Sequence, residues 1–483
     1  MVSLYKSSWL FTVLKVFVFA TLYHVFGLIF TLIAYFSGYF IFQYIVNILF
    51  KWEPVGLDDL IFIETDIGND YLCIGAFYLE KINPKGIKEK IIERGVKKIS
   101  KMRQVPFTIF NNWYFYELPS EVALSKANRN IKFVSDKSLK DRKNLQIYAA
   151  KEMKKLFPKE NELLWEIQLI DFEDEKGGIL LFKMDHLMTD ATGMMNIYAL
   201  LIDNFETVNY SNIPRNYSLW DFIKFYFKIP YYLLFIIWQF HLEKYETSPF
   251  RDNQSINPNQ AREVTIISTQ PYEFADFYKK FKELKVSFND LILLIFAKSL
   301  KNYYKEKGFS HKKNLMIGVT VGPQSMPTDR SKIVVKNLST CVFVNVDFID
   351  NIVQEAESFS LKIGKTTRNK DMSRFMSWMV SYINLLFPRS FSKEISKIGC
   401  HTVDFILSNV PGPKESIYFD GCKVTSCESF PPLGYNKAFC TLFTYNGKLY
   451  LQMTFDKTLN IDEEELISCI EKEINDLIYI KSI

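Results

Sequence analysis

The chain has 483 residues, of which 48% are hydrophobic and 23% charged, so it can form a large packed body and wholesale disorder is excluded. At this length, two domains or a pseudo-symmetric pair of halves are expected. The net charge of +5 is too small to indicate nucleic-acid binding. The seven scattered cysteines include no CxxC pair and have no neighbouring histidine pair, so the sequence predicts neither a disulfide framework nor a metal site.

The amino-terminal segment is strongly apolar. From Val16 to Phe50 no side chain is charged, and this run is longer than the roughly 20 residues that a membrane-spanning helix needs. We therefore expect residues 1–52 to form a retained transmembrane anchor. It would be either one long span or a hairpin that bends near Gly27 or near Ser37–Gly38.

A second apolar patch extends from Tyr217 to Leu242. Lys224, Lys228 and Pro230 interrupt it, and the uninterrupted part is too short to cross a bilayer. Two interpretations stay open at this point. The patch is either a helix that lies at the level of the lipid headgroups or an ordinary helix of the core.

The rest of the chain alternates between strand and helix patterns, which predicts an α/β fold. Residues 53–244 form a first α/β half. Residues 245–262, rich in Ser, Pro, Asn and Gln, are expected to form a linker. Residues 263–483 repeat the mixture of strands and helices as a second half.

The main candidate site follows the predicted strand Gly178–Met184. His186 comes directly after this strand, where a neutral imidazole can act as a general base. Asp190, four residues later, can fix the shape of the loop or orient the ring. This spacing alone is common, so a purely structural His186 is the alternative.

The chemistry around His186 has no evident covalent nucleophile, because the sequence contains no GxSxG elbow. A P-loop and a dinucleotide fingerprint are also missing. Direct transfer fits these residues. The base would remove the proton of an acceptor hydroxyl, and the oxygen would attack a thioester carbonyl.

A second candidate site is the segment Ser408–Pro413, after a predicted strand at Cys400–Leu407. Ser408 and Asn409 can donate hydrogen bonds to a developing oxyanion, and the Pro-Gly-Pro sequence around Gly412 turns the chain. The alternative is a loop that only needs to bend.

A third candidate is the pair Asn289 and Asp290, at the start of the predicted helix Asp290–Glu306. Asn289 fits the helix N-cap, and the Asp290 carboxylate favours the positive end of the helix. A capping role is therefore the alternative to substrate binding for this pair.

These motifs, in this order, resemble the bifunctional wax ester synthase/diacylglycerol acyltransferase family, within the group that shares the chloramphenicol acetyltransferase-like fold. The resemblance extends from about Pro54 to the carboxyl end. Five segments carry it: Gly56–Phe62 is similar to the family's start, Leu163–Trp165 to its PLW element, Asp185–Ala191 to its HHxxxDG motif, Asn289–Asp290 to its ND pair, and Asn409–Pro413 to its NVPGP loop.

The resemblance implies two chloramphenicol acetyltransferase-like halves around a central tunnel, and esterification of a lipid hydroxyl by acyl-CoA. The family's catalytic histidine falls on His186, and its mainly structural aspartate falls on Asp190. The predicted substrate-binding residues are Asn289, Asp290, Ser408, Asn409 and Gly412. No metal or cofactor is expected, and acyl-CoA is a substrate.

The sequence departs from the family pattern at several positions. Asp185 stands in place of the first histidine, Ala191 in place of glycine, and Leu163 in place of proline. An alanine at 191 would be strained if that position needs a positive φ. Pro327 stands where an arginine is usual, and Arg330 is the expected partner of Asp190.

The leading prediction is a membrane-bound enzyme that makes triacylglycerol from diacylglycerol or wax ester from a long-chain alcohol. Acyl-CoA, these acceptors and membrane lipids are the expected partners. The expected location is the endoplasmic reticulum membrane, with lipid droplet and plasma membrane as alternatives and the catalytic body cytosolic. A non-catalytic lipid-binding or scaffold homologue and an acyltransferase for another alcohol are the alternative functions.

Overall fold

The structure is a computed structural model that describes residues 8–56, 59–63, 71–109, 112–173, 176–204, 218–242, 250, 262–308, 313–322, 335–337, 339–386, 389–459 and 461–479. The strands, in chain order, are β1 (Glu53–Pro54), β2 (Leu72–Leu79), β3 (Gln104–Ile109), β4 (Asn112–Glu117), β5 (Ile131–Ser135), β6 (Trp165–Asp171), β7 (Gly178–Asp185), β8 (Val264–Ser268), β9 (Tyr272–Glu273), β10 (Asn314–Val321), β11 (Thr340–Asp347), β12 (Phe405–Val410), β13 (Tyr418–Phe419), β14 (Cys422–Phe430), β15 (Ala438–Tyr445) and β16 (Lys448–Asp456).

The helices are α1 (Ser8–Phe50), α2 (Pro84–Lys90), α3 (Ser120–Asn130), α4 (Arg142–Glu152), α5 (Ala191–Leu201), α6 (Leu219–Leu242), α7 (Phe274–Glu283), α8 (Phe288–Glu306), α9 (Ile352–Thr367), α10 (Lys370–Leu386), α11 (Arg389–His401) and α12 (Glu463–Tyr479). Helix α2 continues as a π-helix over Ile91–Val96, and short 3-10 helices cover Asp59–Phe62, Ser100–Arg103 and Lys137–Lys140.

Two large sheets organise the molecule. The N-half sheet has the strand order β13-β14-β2-β7-β6-β5. The C-half sheet has the order β11-β10-β12-β15-β16-β8, and β9 also pairs with β16. A smaller sheet, β1-β4-β3, stands beside them. The α/β fold class is therefore confirmed.

The two sheets do not follow the predicted boundary between the halves. Strands β13 and β14 belong by sequence to residues 263–483, but β14 pairs antiparallel with β2 and so completes the N-half sheet. The chain thus crosses from one half to the other after β12 and returns with β15. Most of the predicted linker, residues 245–262, lies outside the described residues.

The apolar side chains of the helices and strands form the hydrophobic cores. Helix α8 is buried along most of its length and packs on the face of the C-half sheet that points away from the N-half. Helix α5 packs on the N-half sheet and against Val410, Phe443 and Tyr450 of the C-half, which joins both halves in one core. A smaller core beneath α4 includes Ile266 of β8.

Most predicted elements agree with the structure, but the strand predicted at Cys400–Leu407 has to be corrected. The predicted strand Cys400–Leu407 is wrong at its start, because Cys400 belongs to the last turn of α11 and the strand begins at Phe405. Ser408 and Asn409 consequently lie inside β12 and not in the loop after it. The high helical amphipathicity of the segment before Cys400 was overlooked in the sequence.

The amino-terminal segment forms α1, which is interrupted at Gly27. This glycine has φ 75° and ψ 169°, a conformation that breaks the helical path. Across the residues that the structure describes, no helix combines the length and the apolar character needed to cross a membrane. The structure therefore gives no support to the predicted transmembrane anchor at residues 1–52.

Candidate active site

His186 follows directly after β7, at the side of the N-half that faces the C-half. Its backbone N–H donates to the Tyr71 carbonyl at 2.8 Å, and its own carbonyl accepts from Asn337 Nδ2 at 2.8 Å. The ring stacks on Phe62, with 4.3 Å between ring centroids, and meets the edge of Tyr71 at 6.3 Å. The residue as a whole is half-buried.

The electrostatic surroundings favour the neutral imidazole. Burial lowers the pKa of His186 below its usual 6.5, although the carboxylate of Asp190 opposes this shift. The Nδ1 atom is buried and has no hydrogen-bond partner in the described structure. At neutral pH the unprotonated imidazole is available as a base.

Asp190 fixes the loop and joins the two halves. It is the N-cap of α5, where its Oδ1 accepts from the Gly193 N–H at 2.9 Å. Its Oδ2 accepts from the Ser339 N–H of the C-half at 2.7 Å. The side chain is buried, so these contacts hold the His186 loop in one shape. Arg330, its predicted partner, lies outside the described residues, as does Pro327.

The departures from the family motif have structural explanations here. Ala191 is the first helical residue of α5 and not a left-handed position, so the expected strain is absent. Asp185 is buried, forms a salt bridge with Lys159, and accepts the Leu187 N–H through Oδ1 at 2.9 Å. Asp185 thus shapes the loop before and after His186.

Several residues of this site were missed in the sequence. Lys159 neutralises Asp185, and residues 335–337 and 339 of the C-half lie against the loop. Within that segment, Asn337 bonds to His186, and the carbonyl of Lys336 accepts from the Thr189 hydroxyl at 3.3 Å. These partners are separated from the motif by many residues, and no local pattern in the sequence marks them.

Ser408 and Asn409 point to opposite faces of β12, because successive side chains of a strand alternate. Ser408 faces the N-half, and its hydroxyl accepts from the Thr320 hydroxyl at 3.1 Å. Asn409 faces α8, where its Nδ2 donates to Asn289 Oδ1 at 2.7 Å. The structure thus brings Ser408 to the interface of the halves and ties Asn409 to Asn289 on the other face.

Asn289 and Asp290 belong to the first turn of α8. The predicted N-cap at Asn289 is wrong, because Ser287 is the N-cap and forms a capping box with Asp290. The buried Asp290 carboxylate also accepts from the Ser360 hydroxyl at 2.7 Å and pairs with Arg368. Asp290 therefore joins α8 to α9, and the described partners of its carboxylate cap and connect helices.

Gly412 lies just after β12, against β15. Its N–H donates to the Thr444 hydroxyl at 3.1 Å. A Cβ atom at this position would be only 2.1 Å from the Thr444 carbonyl oxygen, so no side chain fits. The glycine is needed for the close approach of two backbones.

The described residues line a cavity and a cleft along the interface of the halves. A small internal cavity of about 30 Å³ lies between α5, β2 and β15 and is lined by Met194, Tyr198 and Phe443 among others. A larger cleft of about 760 Å³ opens between α4, β8 and α12. In the described part of the chain, no group of His, Cys, Asp and Glu side chains is arranged to hold a metal ion.

Residues 362–478 match the family model for the WS/DGAT C-terminal domain. Among solved structures, the chain is similar to a wax ester synthase/diacylglycerol acyltransferase from Marinobacter aquaeolei, with a TM-score of 0.59 and 14% identity over 88% of this chain and 98% of that chain. It is also similar to a trichothecene 15-O-acetyltransferase from Fusarium sporotrichioides, with a TM-score of 0.64 and 13% identity over 88% and 94% of the two chains.

A third similar structure is the starter condensation domain of rhizomide synthetase in complex with C8-CoA, with a TM-score of 0.56 and 10% identity over 88% of this chain and 94% of that domain. In the comparison with curated proteins, no relative matches the chain. The resemblance inferred from the sequence motifs is confirmed by the family match and by the shared fold.

Proposed function

We propose that this chain, which carries the WS/DGAT C-terminal domain, transfers a fatty acyl group from acyl-CoA to the hydroxyl of a lipid. The proposed acceptors are diacylglycerol, which would give triacylglycerol, and long-chain alcohols, which would give wax esters. The observation that carries the proposal is the position of His186, half-buried at a strand end between the two halves, with an Nδ1 atom that has no hydrogen-bond partner in the described structure.

The proposed reaction is one direct transfer. Nε2 of His186 takes the proton of the acceptor hydroxyl while the oxygen attacks the thioester carbonyl. The tetrahedral oxyanion collapses, the C–S bond breaks, and the imidazolium returns the proton to the CoA thiolate. Ser408, whose hydroxyl faces the N-half, is the proposed donor to the oxyanion. No metal or cofactor takes part in this scheme.

The comparisons support the choice of donor. The condensation domain of similar fold is described with C8-CoA, and the Marinobacter protein is named for ester synthesis on lipid acceptors. The structural roles of Asp185 and Ala191 also favour an enzyme over a non-catalytic homologue, because neither departure disturbs the His186 loop.

The test is the His186→Ala variant, assayed for ester formation and thiol release with palmitoyl-CoA and either acceptor. General-base catalysis contributes about 10² to 10⁴ in rate, so we expect a loss of at least a hundredfold. His401→Ala is the matched control, because His401 is exposed at the end of α11 and makes no part of the loop. Unchanged ester yield from the His186 variant would reject the mechanism.

We also propose that α6 lies on a lipid surface from which the acceptor is taken. One stripe of this helix packs into the core through Phe225, Tyr232 and Ile236, while the other side exposes large apolar residues, with Phe227 82% exposed. The positively charged side chain of Lys224 is also exposed and can bind anionic lipid headgroups. Location at the endoplasmic reticulum, lipid droplet or plasma membrane, with a cytosolic body, stays a prediction.

Vesicle flotation tests this surface with liposomes of phosphatidylcholine and phosphatidylserine. Phe227→Asp should reduce the bound fraction several-fold, because it places a charge in the apolar contact. Leu361→Asp is the control, since Leu361 on α9 is also an exposed large apolar side chain, at 64%. Equal binding of both variants and the unmodified protein would contradict the proposed contact.

A further inference from the structure

We propose that Phe62 is a positioning residue for the base: its ring lies on the imidazole of His186 and, together with Tyr71, fixes the orientation of that imidazole. Phe62 acts through His186 and takes no part in bond making. This inference rests on the proposed function and deepens it, because it adds a residue on which the work of the base depends.

Phe62, Tyr71 and His186 form a triad in which each ring contacts the other two. Phe62 stacks on His186, with 4.3 Å between ring centroids and 26° between ring planes. Tyr71 meets both rings at a steep angle, 6.3 Å from His186 and 4.9 Å from Phe62. Stacked and edge-to-face ring pairs at such separations attract each other. The triad therefore restricts both the plane and the tilt of the imidazole.

The main chain of His186 is already fixed, so the ring orientation is what remains to be set. The N–H of His186 donates to the Tyr71 carbonyl, and its carbonyl accepts from Asn337, both at 2.8 Å. The outer torsion of a histidine side chain has broad energy minima, so packing or hydrogen bonds have to select the ring orientation. Because Nδ1 has no hydrogen-bond partner in the described structure, the ring contacts are the restraint observed here.

Both rings that hold the imidazole are themselves held by the rest of the fold. Phe62 ends the 3-10 helix Asp59–Phe62, and the next residue, Ile63, is buried in the core around α5. This 3-10 helix also packs against α11 of the C-half. Tyr71 lies against Gly434 of the C-half, where a Cβ would overlap its ring. The contact with the C-half thus supports the orientation of a base that the N-half carries.

The burial of Phe62 suits a role in positioning better than a role in stability. Phe62 is half-buried, whereas Phe77 and Phe182 in the same core are 2% and 0% exposed. Truncation of a half-buried side chain leaves less of a cavity than truncation in the core, so its loss should affect function more than folding. The inference also gives a role to the segment Gly56–Phe62, for which none has been described so far.

The stacked ring also influences the ionisation of His186. Burial lowers the pKa of His186, and Phe62 covers one face of the imidazole. The ionisable groups around the ring and its loop in the described structure are Asp185, Asp190, Tyr71 and Lys159. The two carboxylates raise the pKa of His186, and Tyr71 stays neutral because burial raises its own pKa. Without the Phe62 ring, water reaches the imidazole face, so the pKa of His186 should rise.

The test is Phe62→Leu, which keeps an apolar side chain but removes the flat ring. Its kcat for ester formation should fall about two- to tenfold, the range that the loss of one aromatic pair implies. The KM of palmitoyl-CoA should stay the same, and the acid midpoint of the pH profile should move upward. Phe62→Tyr, which keeps the ring, should restore both values. If Phe62→Leu does not fold, Phe62→Met serves as the flexible apolar replacement.

Phe107→Leu is the matched control. Phe107 is also half-buried, but it belongs to a separate aromatic cluster with Trp52 and Tyr116. The same substitution there should leave kcat and the acid midpoint unchanged. A loss of kcat in Phe107→Leu equal to that in Phe62→Leu would show a general effect of lost packing and overturn the inference.

Nuclear magnetic resonance of protein labelled at histidine Cε1 detects the ring contact without turnover. The chain has five histidines, so the signal missing from His186→Ala identifies His186. The ring current of Phe62 should shift this signal upfield in the unmodified protein, and Phe62→Leu should remove the shift. An unshifted signal, or an unchanged kcat and acid midpoint in Phe62→Leu, would overturn this inference alone. An unmodified protein that forms no ester would instead overturn the proposed function, while the resonance of His186 still tests the contact.

Discussion

At the scale of single residues, the ionisation of His186 decides when the proposed base can work. Burial in the loop lowers its pKa below 6.5, so the neutral form persists to more acidic pH than an exposed histidine allows. The same shift affects stability in a defined direction. Protonation favours the unfolded chain, so stability from this group is lost as pH falls below 6.5.

The pH profile of kcat/KM provides a prediction. Activity should stay level through neutral pH and decline on the acid side with a midpoint below 6.5, because only the neutral imidazole accepts a proton. Initial rates between pH 4.5 and 8, corrected for unfolding with a fluorescence control, measure this midpoint. An acid limb centred above 6.5 would contradict the buried, neutral base.

Lys159 gives a second prediction. Its ammonium is the salt-bridge partner of the buried Asp185, so Lys159→Met leaves an uncompensated charge in the interior. Removal of one partner of a buried pair typically destabilises by about 3–5 kcal/mol. Urea unfolding should show this loss, and adding Asp185→Asn should recover part of it. Additive effects of the two substitutions would show that the pair is not coupled.

The residues of the loop were only partly predictable from sequence. His186 and Asp190 could be identified because a short motif after a strand preserves their spacing. Lys159, Asn337 and Ser339 could not, since their contacts depend on how distant segments meet in three dimensions.

At the scale of secondary-structure elements, the close approach of β12 and β15 explains one motif. Gly412→Ala should destabilise the protein by about 1–3 kcal/mol, because the new methyl group would collide with the Thr444 carbonyl. Gly399→Ala is the matched control, since nothing lies near a Cβ at this position in α11 and alanine favours a helix. Melting temperatures of the two variants should move in opposite directions; a shift in the same direction would argue against the clash.

The elements themselves were well indicated by their hydrophobic patterns. Buried strands such as β7 and the long helix α8 appear near their expected bounds because tertiary packing and local pattern agree. The errors occurred at element ends. Ser287, and not Asn289, is the N-cap of α8, and α11 extends through Cys400. Several polar residues near a helix end can cap it, so its exact end is hard to predict.

At the scale of the whole molecule, β14 binds the two halves into one unit. Its backbone is hydrogen-bonded to β2 of the N-half sheet although its sequence neighbours belong to the C-half. We therefore expect both halves to unfold in a single transition. Far-ultraviolet circular dichroism and tryptophan fluorescence should give coincident urea curves. Two separate transitions would show that the halves are stable independently.

The exchange of β14 also governs how this protein can be recombined with a relative of similar fold. Residues 245–262, the predicted linker, are the obvious place for a crossover between two parent proteins. A crossover there would pair β2 from one parent with β14 from the other. Side chains of β2 and β14 meet along the whole length of this strand pair, from Leu79 opposite Val424 to Ile74 opposite Phe430. A working hybrid therefore has to inherit residues 422–430 from the same parent as the first half, as a transplanted patch inside the second.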